Sequence, residues 1–328
     1  MKGCLRYIVG AMLLMSFGGT KPTGEFPQAQ ISNGIVQARL YLPDDKEGYY
    51  RGTRFDWSGV MPALEYNGHT YFGQWVPKYS PTLHDAIMGP VEDFYPVGYD
   101  DAKTGEVFLK IGIGMVVKPE EAKYFFANSY QLANAGEWKV KKKSDQVEFV
   151  HRLEDKDYAY EYRKTVELVK GKPEMILSHR LKNTGKKNLS SAVYNHNFFV
   201  MDNQPIGPDF VVTFPFTPSG DAETTRTYGH LEGNQIIYAK ALGDNGHLQF
   251  KSLQGYGDSG KDYDIRIENH KTGAAVRITC DKPLTQLAFW SAPKTICPEP
   301  FIQVDVKPGD TFAWKIKYQF YTCDITSD

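Results

Sequence analysis

The chain lacks the short signatures of the common cofactor and hydrolase chemistries. It has no Gly-x-Gly-x-x-Gly loop, no Walker-type phosphate loop, no His-Glu-x-x-His and no Gly-x-Ser-x-Gly elbow. Dinucleotide, nucleotide and zinc-protease functions therefore lose their usual signals. Cysteine is scarce: Cys4, Cys280, Cys297 and Cys323 include no Cys-x-x-Cys and match no zinc-ligand spacing. An excess of one charge is also missing. The 38 basic and 39 acidic residues nearly cancel, and the longest basic run is Lys141 to Lys143, so no nucleic-acid partner is expected and a neutral ligand suits the balance. After the first 20 residues nothing approaches the roughly 18 uninterrupted apolar residues of a membrane span.

What the chain does have begins at its N-terminus. Lys2 and Arg6 precede the apolar run Ile8 to Met15 and a small-residue stretch through Gly18-Gly19, the order of a secretory signal peptide. We expect residues 1–20 to be that signal and the protein to be secreted or periplasmic. Cys4 precedes the apolar core, so it does not sit where a lipid-anchored cysteine would. Removal of the signal leaves three cysteines, room for at most one internal disulfide, and buried, inert thiols are the expectation. No Pro/Gly/Ser linker and no fixed-period repeat divides residues 21–328, so one domain is expected. In a eukaryotic secretory pathway Asn188-Leu189-Ser190 would be a glycosylation acceptor.

Period-two patterning dominates. Ala159 to Val169, Gln235 to Leu242 and Thr311 to Tyr321 alternate or are rich in β-branched and aromatic residues, which predicts strands. Asn183 to Lys187, His270 to Gly273 and Lys307 to Asp310 separate strand-like runs, as hairpin turns would. Pro119 to Phe126, opening with Pro and two acids, is the best helix candidate. Trp57 to Val97 shows little alternation, and long irregular segments on a β scaffold are where binding residues concentrate. The predicted fold is all-β, a large antiparallel sandwich.

Four segments carry candidate chemistry. In Tyr194-Asn195-His196-Asn197-Phe198-Phe199, amides can orient the His196 imidazole and aromatics can stack on a sugar, making His196 a candidate general acid or base. An isolated strand histidine equally serves structure. In Cys297-Pro298-Glu299-Pro300, two prolines remove backbone donors and stiffen the chain around Glu299, aiming it inward or leaving it at an exposed strand edge. Arg51, Arg54 and Trp57 place guanidinium forks beside a stacking plane, for sugar hydroxyls or for surface salt bridges. His84 with Asp85, followed by Glu92 and Asp93, reads as a hydrogen-bonded group or as metal ligands, although no ligand spacing is diagnostic.

Taken in order, these segments resemble the aldose 1-epimerase (galactose mutarotase) family and its mutarotase-like relatives. Asn195-His196-Asn197-Phe198-Phe199 is similar to the family segment whose histidine is the general acid toward the ring oxygen, which maps to His196. Cys297-Pro298-Glu299-Pro300 is similar to the late segment whose glutamate is the general base, which maps to Glu299. Lys307-Pro308-Gly309-Asp310 resembles the closing Pro-Gly turn. Arg54 and His84 resemble sugar-binding residues, although His84 is followed by Asp85-Ala86 where the family has two glycines. The family's binding aspartate falls at Asp262, with Asp264 as the alternative, and Trp57 and Asn195 complete the expected binding set. The resemblance implies a galactose mutarotase-like super-sandwich, interconversion of the anomers of a free sugar, a mono- or oligosaccharide ligand and no cofactor. It also favours a neighbouring carboxylate that raises the histidine's pKa. A non-catalytic glycan-binding protein, or a polysaccharide lyase or hydrolase on a related sandwich, are the alternatives.

Overall fold

The computed structural model describes residues 26–120, 123–221 and 227–325; the expected signal peptide lies outside them. Two antiparallel sheets form the body. The larger has ten strands, in the order Gly229–Glu232, Gln235–Tyr238, Phe210–Thr213, Asp264–Asn269, Ala274–Cys280, Thr311–Thr322, Glu174–Asn183, Ala159–Leu168, Gln146–Glu154 and Glu137–Lys142. The smaller has five: Leu248–Leu253, Gln286–Ala292, Thr295–Val306, Leu189–Phe198 and Gly89–Phe94. A four-stranded sheet from the N-terminal region and a three-stranded one flank them. The fold class is the expected all-β sandwich.

Alternation explains why these segments pair as they do. In Ala159–Leu168, Tyr160, Tyr162, Lys164, Val166 and Leu168 point inward while Glu161, Arg163 and Glu167 face outward. The inward residues of the two sheets form one continuous apolar core, to which Leu287, Phe289, Ile302 and Val304 contribute from the small sheet and Val276, Ile278, Trp314 and Phe320 from the large one. Each such side chain stabilises by roughly 1.5–3 kcal/mol on full burial.

Turns behave in two ways. His270 to Gly273 closes a hairpin between neighbouring strands, with Gly273 at φ 84° donating to Asn269 O at 2.8 Å. The other two expected hairpins are instead crossovers. Asn183 to Lys187 carries the chain from the ten-stranded to the five-stranded sheet, and Lys307 to Asp310 carries it back. Buried Asn183 ties the two crossings together: its amide donates to Lys187 O and Val306 O, both at 2.8 Å, and its backbone carbonyl accepts from Gly309 N at 3.0 Å. Turn chemistry announces a reversal but not the sheet in which the next strand lands.

Of the helix expected at Pro119 to Phe126, residues 121–122 lie outside the described residues and 119–120 and 123–126 are not helical; the only helical element among the described residues is the single turn Gly260–Asp262. Aromatic packing overrides the local propensity. Tyr124 stacks on Tyr130 at 5.4 Å, Phe126 lies over the Arg54 guanidinium at 4.1 Å, and the Phe125 backbone bonds to the Tyr130 hydroxyl. The Trp57 to Val97 segment is largely irregular as expected, holding only Ala63–Tyr66, His69–Thr70 and Gly89–Phe94. With its neighbours it forms a second apolar cluster, including Tyr50, Phe55, Trp57 and Phe108, over the outer face of the five-stranded sheet at Val91, Phe198 and Cys297.

Candidate functional site

Strand alternation sends consecutive residues to opposite faces of the five-stranded sheet. On Leu189–Phe198, Tyr194, His196 and Phe198 face outward, and Asn195 and Asn197 face the interior; on Gly89–Phe94, Asp93 faces outward and Glu92 inward. The register sets Tyr194 opposite Asp93 and Asn195 opposite Glu92.

On the outer face His196 meets Glu299. Leu189–Phe198 pairs with Thr295–Val306 up to Tyr194 opposite Phe301, and the same register reappears at Phe199 opposite Ile296. Pro298 and Pro300 have no N–H to complete the ladder between those points, and the Asn197 amide substitutes by donating to Pro298 O at 3.0 Å. Within this interruption His196 Nε2 lies 3.2 Å from Glu299 Oε1. The imidazole stacks on Phe198 at 3.8 Å, and Phe198 stacks in turn on Trp75 at 5.3 Å. His196 Nδ1 is buried without a hydrogen-bond partner. Beyond this contact no hydrogen bond reaches the Glu299 carboxyl among the described residues, and the contact itself lacks hydrogen-bond alignment.

The electrostatics reverse one expectation. Burial, and secondarily the Arg54 charge, hold His196 well below the ordinary histidine range, whereas a neighbouring carboxylate had been expected to raise it. Burial pushes the Glu299 carboxyl up to about 7, with Asp93 and Asp85 adding to the shift against the pull of Arg54. Below about pH 7 the pair therefore carries one proton, resting on the carboxyl, and that proton is lost as pH rises through 7.

Arg54 stands beside the pair with its donors engaged. Nη1 bonds Asp85 at 2.7 Å, Nε bonds Asp93 at 3.2 Å and Nη2 donates to the Tyr194 hydroxyl at 3.0 Å. Asp93 also accepts from Tyr194 at 3.0 Å and from fully buried Lys110 at 2.9 Å. His84 reaches the cluster through Asp85, at 3.1 Å. Asp93, Tyr194 and Lys110 thus join a site in which sequence reasoning named Asp93 only as one of two acids near a histidine, Tyr194 only as an aromatic of the His196 segment, and Lys110 not at all. The adjacent acids Glu92-Asp93 in a strand were the available signal, because period two must send them to different environments.

Three expected binding residues lie elsewhere. Trp57 is a core residue, 2% exposed, with its indole N–H donating to Gly52 O at 2.8 Å, so it offers no stacking plane. Asn195 faces the interior, donating to Glu92 at 2.8 Å and accepting from the Tyr318 hydroxyl at 2.6 Å. Asp262 closes a surface turn by accepting from Gly257 N at 2.7 Å, and its alternative Asp264 is held by Arg277 at 2.7 and 2.5 Å. Among the described residues no group of three or more His, Cys, Asp or Glu is arranged to hold a metal ion. Cys280 and Cys297 are buried free thiols, Cys280 pushed up to about 12 by burial. No described helix is long and apolar enough to cross a membrane.

The interior face carries a second polar cluster. Glu92 accepts from Lys164, and from Asn195 on its other oxygen, while His179 Nε2 lies 3.3 Å away without the alignment of a hydrogen bond. Asp56 accepts from Ser58 N, Ser58 Oγ and the Tyr162 hydroxyl, and burial pushes its carboxyl up to about 7 against the nearby Lys164 charge.

No family model matches the chain, and no curated protein matches it in sequence. The fold is nonetheless that of the aldose 1-epimerase and galactose mutarotase-like proteins, seen in solved structures of 12% identity. A GalM/aldose epimerase homologue from C. elegans superimposes with a TM-score of 0.55 over 92% of this chain and 99% of its own. A galactose mutarotase related enzyme from Lactobacillus acidophilus gives 0.54 over 92% and 100%. A putative aldose 1-epimerase from Escherichia coli K12 gives 0.51 over 90% and 99%.

Proposed function

We propose that this protein is a carbohydrate-active enzyme of the aldose 1-epimerase type, interconverting the anomers of a free sugar with His196 and Glu299 as its acid–base pair. The observation that carries this reading is the contact of the two residues on the outer face of the five-stranded sheet, with His196 Nδ1 buried and unpartnered.

Ring opening breaks the C1–O5 bond. A base takes the C1 hydroxyl proton as C1 becomes an aldehyde, and an acid delivers a proton to O5. Rotation about C1–C2 presents the other face of the carbonyl, and closure runs the two transfers backward. The family resemblance assigns the base to Glu299 and the acid to His196. In the working form the pair's single proton has passed from Glu299 to His196 across their 3.2 Å contact, leaving the carboxylate free to take the C1 hydroxyl proton and the imidazole able to protonate O5; each member then gives in one half of the reaction what it takes in the other. Arg54 and Asp93 lie within electrostatic range of Glu299 and His84 joins them through Asp85; these groups supply donors and acceptors for the remaining hydroxyls once a sugar competes for them. The N-terminal signal pattern supports an activity outside the cytosol, which determining the N-terminus of the mature protein tests.

The direct test follows the optical rotation of freshly dissolved α-glucose and α-galactose with purified protein. Catalysed relaxation to the anomeric equilibrium, lost in His196→Ala and Glu299→Gln, is the expected result. Saturable sugar binding without faster relaxation would replace the enzyme with a glycan-binding protein.

A further inference from the structure

Three aromatic side chains are exposed among the described residues, Tyr95, Phe125 and Phe126 at 45%, 52% and 41%; Phe126, with Phe125 beside it, packs on the Arg54–His84 cluster, and Tyr95 lies within electrostatic range of Glu299. Phe126 covers Arg54 at 4.1 Å and meets the His84 ring edge-on at 6.0 Å, with Phe125 beside it. These two form a wall from a loop. Tyr95 is placed differently. It follows the Gly89–Phe94 strand directly, and its backbone N–H donates to Ala192 O at 2.9 Å. Its ring meets Phe301 edge-on at 6.0 Å, and Phe301 stacks on Tyr194 at 4.4 Å.

Tyr194 and Phe301 lie opposite one another, two residues along their strands from His196 and Glu299. Two strand residues advance about 6.8 Å, close to the width of a sugar ring. Further along the same face come Ala192 opposite Gln303 and then Ser190 opposite Asp305. Gln303, Ser190 and Asp305 are exposed and hydrogen-bonded to one another. The face thus runs from the pair to an aromatic step and then to polar groups. Beside it Tyr124 carries a buried hydroxyl without a hydrogen-bond partner, within electrostatic range of Asp93 and Arg54. A single sugar seated with its C1 hydroxyl and ring oxygen at the pair leaves the Tyr95 ring uncovered. Exposed aromatics concentrated at one site mark a ligand surface, and a rigid aromatic plane bordered by polar groups suits a sugar ring.

We propose that the substrate class is a reducing oligosaccharide of at least two sugars, its terminal ring over His196 and Glu299 and its second ring stacked on Tyr95. This rests on the epimerase reading and goes beyond it by assigning a second subsite.

Lactose, maltose and cellobiose share a reducing-end glucose, so glucose is the control for all three. Mutarotation of each, followed by polarimetry, should give kcat/KM for at least one disaccharide roughly 3- to 10-fold above glucose, the scale of one aromatic contact. Tyr95→Ala should bring that ratio toward one. Equal efficiencies in the unaltered protein would overturn the subsite and leave the epimerase reading intact. An advantage abolished by Phe126→Ala and retained in Tyr95→Ala would overturn the assignment to Tyr95. Should no sugar be turned over, the epimerase reading fails by itself, and Kd values from saturation-transfer NMR decide the subsite. Tighter disaccharide than glucose binding, lost in Tyr95→Ala, supports it; equal binding refutes it.

Discussion

The two faces of the five-stranded sheet present the same pair of residue types in different states of completion. Outside, His196 lies 3.2 Å from Glu299; inside, His179 lies 3.3 Å from Glu92. Each imidazole stacks on an aromatic ring, Phe198 at 3.8 Å and Trp314 at 4.5 Å, and burial lowers the pKa of both. The carboxylates differ. Glu92 is answered by Lys164 and Asn195, and His179 Nδ1 by the Tyr162 hydroxyl at 3.0 Å. Glu299 has no such cation or amide, while each imidazole keeps one unpartnered nitrogen, Nδ1 in His196 and Nε2 in His179. A histidine–glutamate contact by itself is therefore not a functional signal. The inner pair, with its carboxylate answered from both sheets, holds them together, and the outer one keeps a carboxyl that no protein donor answers.

The comparison can be broken at either face. The largest effect should be on rate: His196→Ala or Glu299→Gln is expected to slow sugar mutarotation roughly 10²–10⁴-fold, the usual contribution of a positioned acid or base, with the far-UV circular dichroism unchanged. On the inner face the same kind of change should act on stability. Lys164→Met leaves Glu92 and Asp56 as buried acids without their cation, and urea denaturation should show a loss of about 3–5 kcal/mol.

Titration sharpens the contrast. A carboxyl bound at about 7 in the native state and near 4.5 in the unfolded chain holds its proton more tightly when folded. Its contribution is fully present below about pH 4.5 and is lost as pH rises through 7, which amounts to about 3 kcal/mol. Glu299→Gln should consequently unfold at higher urea than the unaltered protein at pH 8, with the difference shrinking toward pH 5. The activity should share that limb. Loss of the pair's single proton makes the mutarotation rate fall as pH rises through about 7, where an unperturbed glutamate base would hold it level.

How much of this was legible in the sequence depends on the range of the interaction involved. Period-two runs marked the strands, and His196 and Glu299 stood out because amides and prolines surround them within a few residues. The two crossovers were read as hairpins because Asn183 and Gly309 make the same local turn whichever sheet follows. Trp57 and Asn195 carried suitable chemistry, but the face each presents follows from packing against distant strands. Asp93, Tyr194 and Lys110 form one cluster only through pairing of segments far apart in the chain. The described part of the segment expected to be a helix, residues 119–120 and 123–126, is non-helical for the same reason, since Arg54 and Tyr130 recruit its aromatics individually.

The most direct test of the account measures mutarotation per folded molecule, and urea stability, for Glu299→Gln beside Glu92→Gln. The account predicts that Glu299→Gln remains folded, is more stable at pH 8 and loses its rate by at least two orders of magnitude, while Glu92→Gln is destabilised and keeps most of its rate per folded molecule. The contradicting result is a Glu299→Gln variant that retains its rate, with the loss appearing in Glu92→Gln instead.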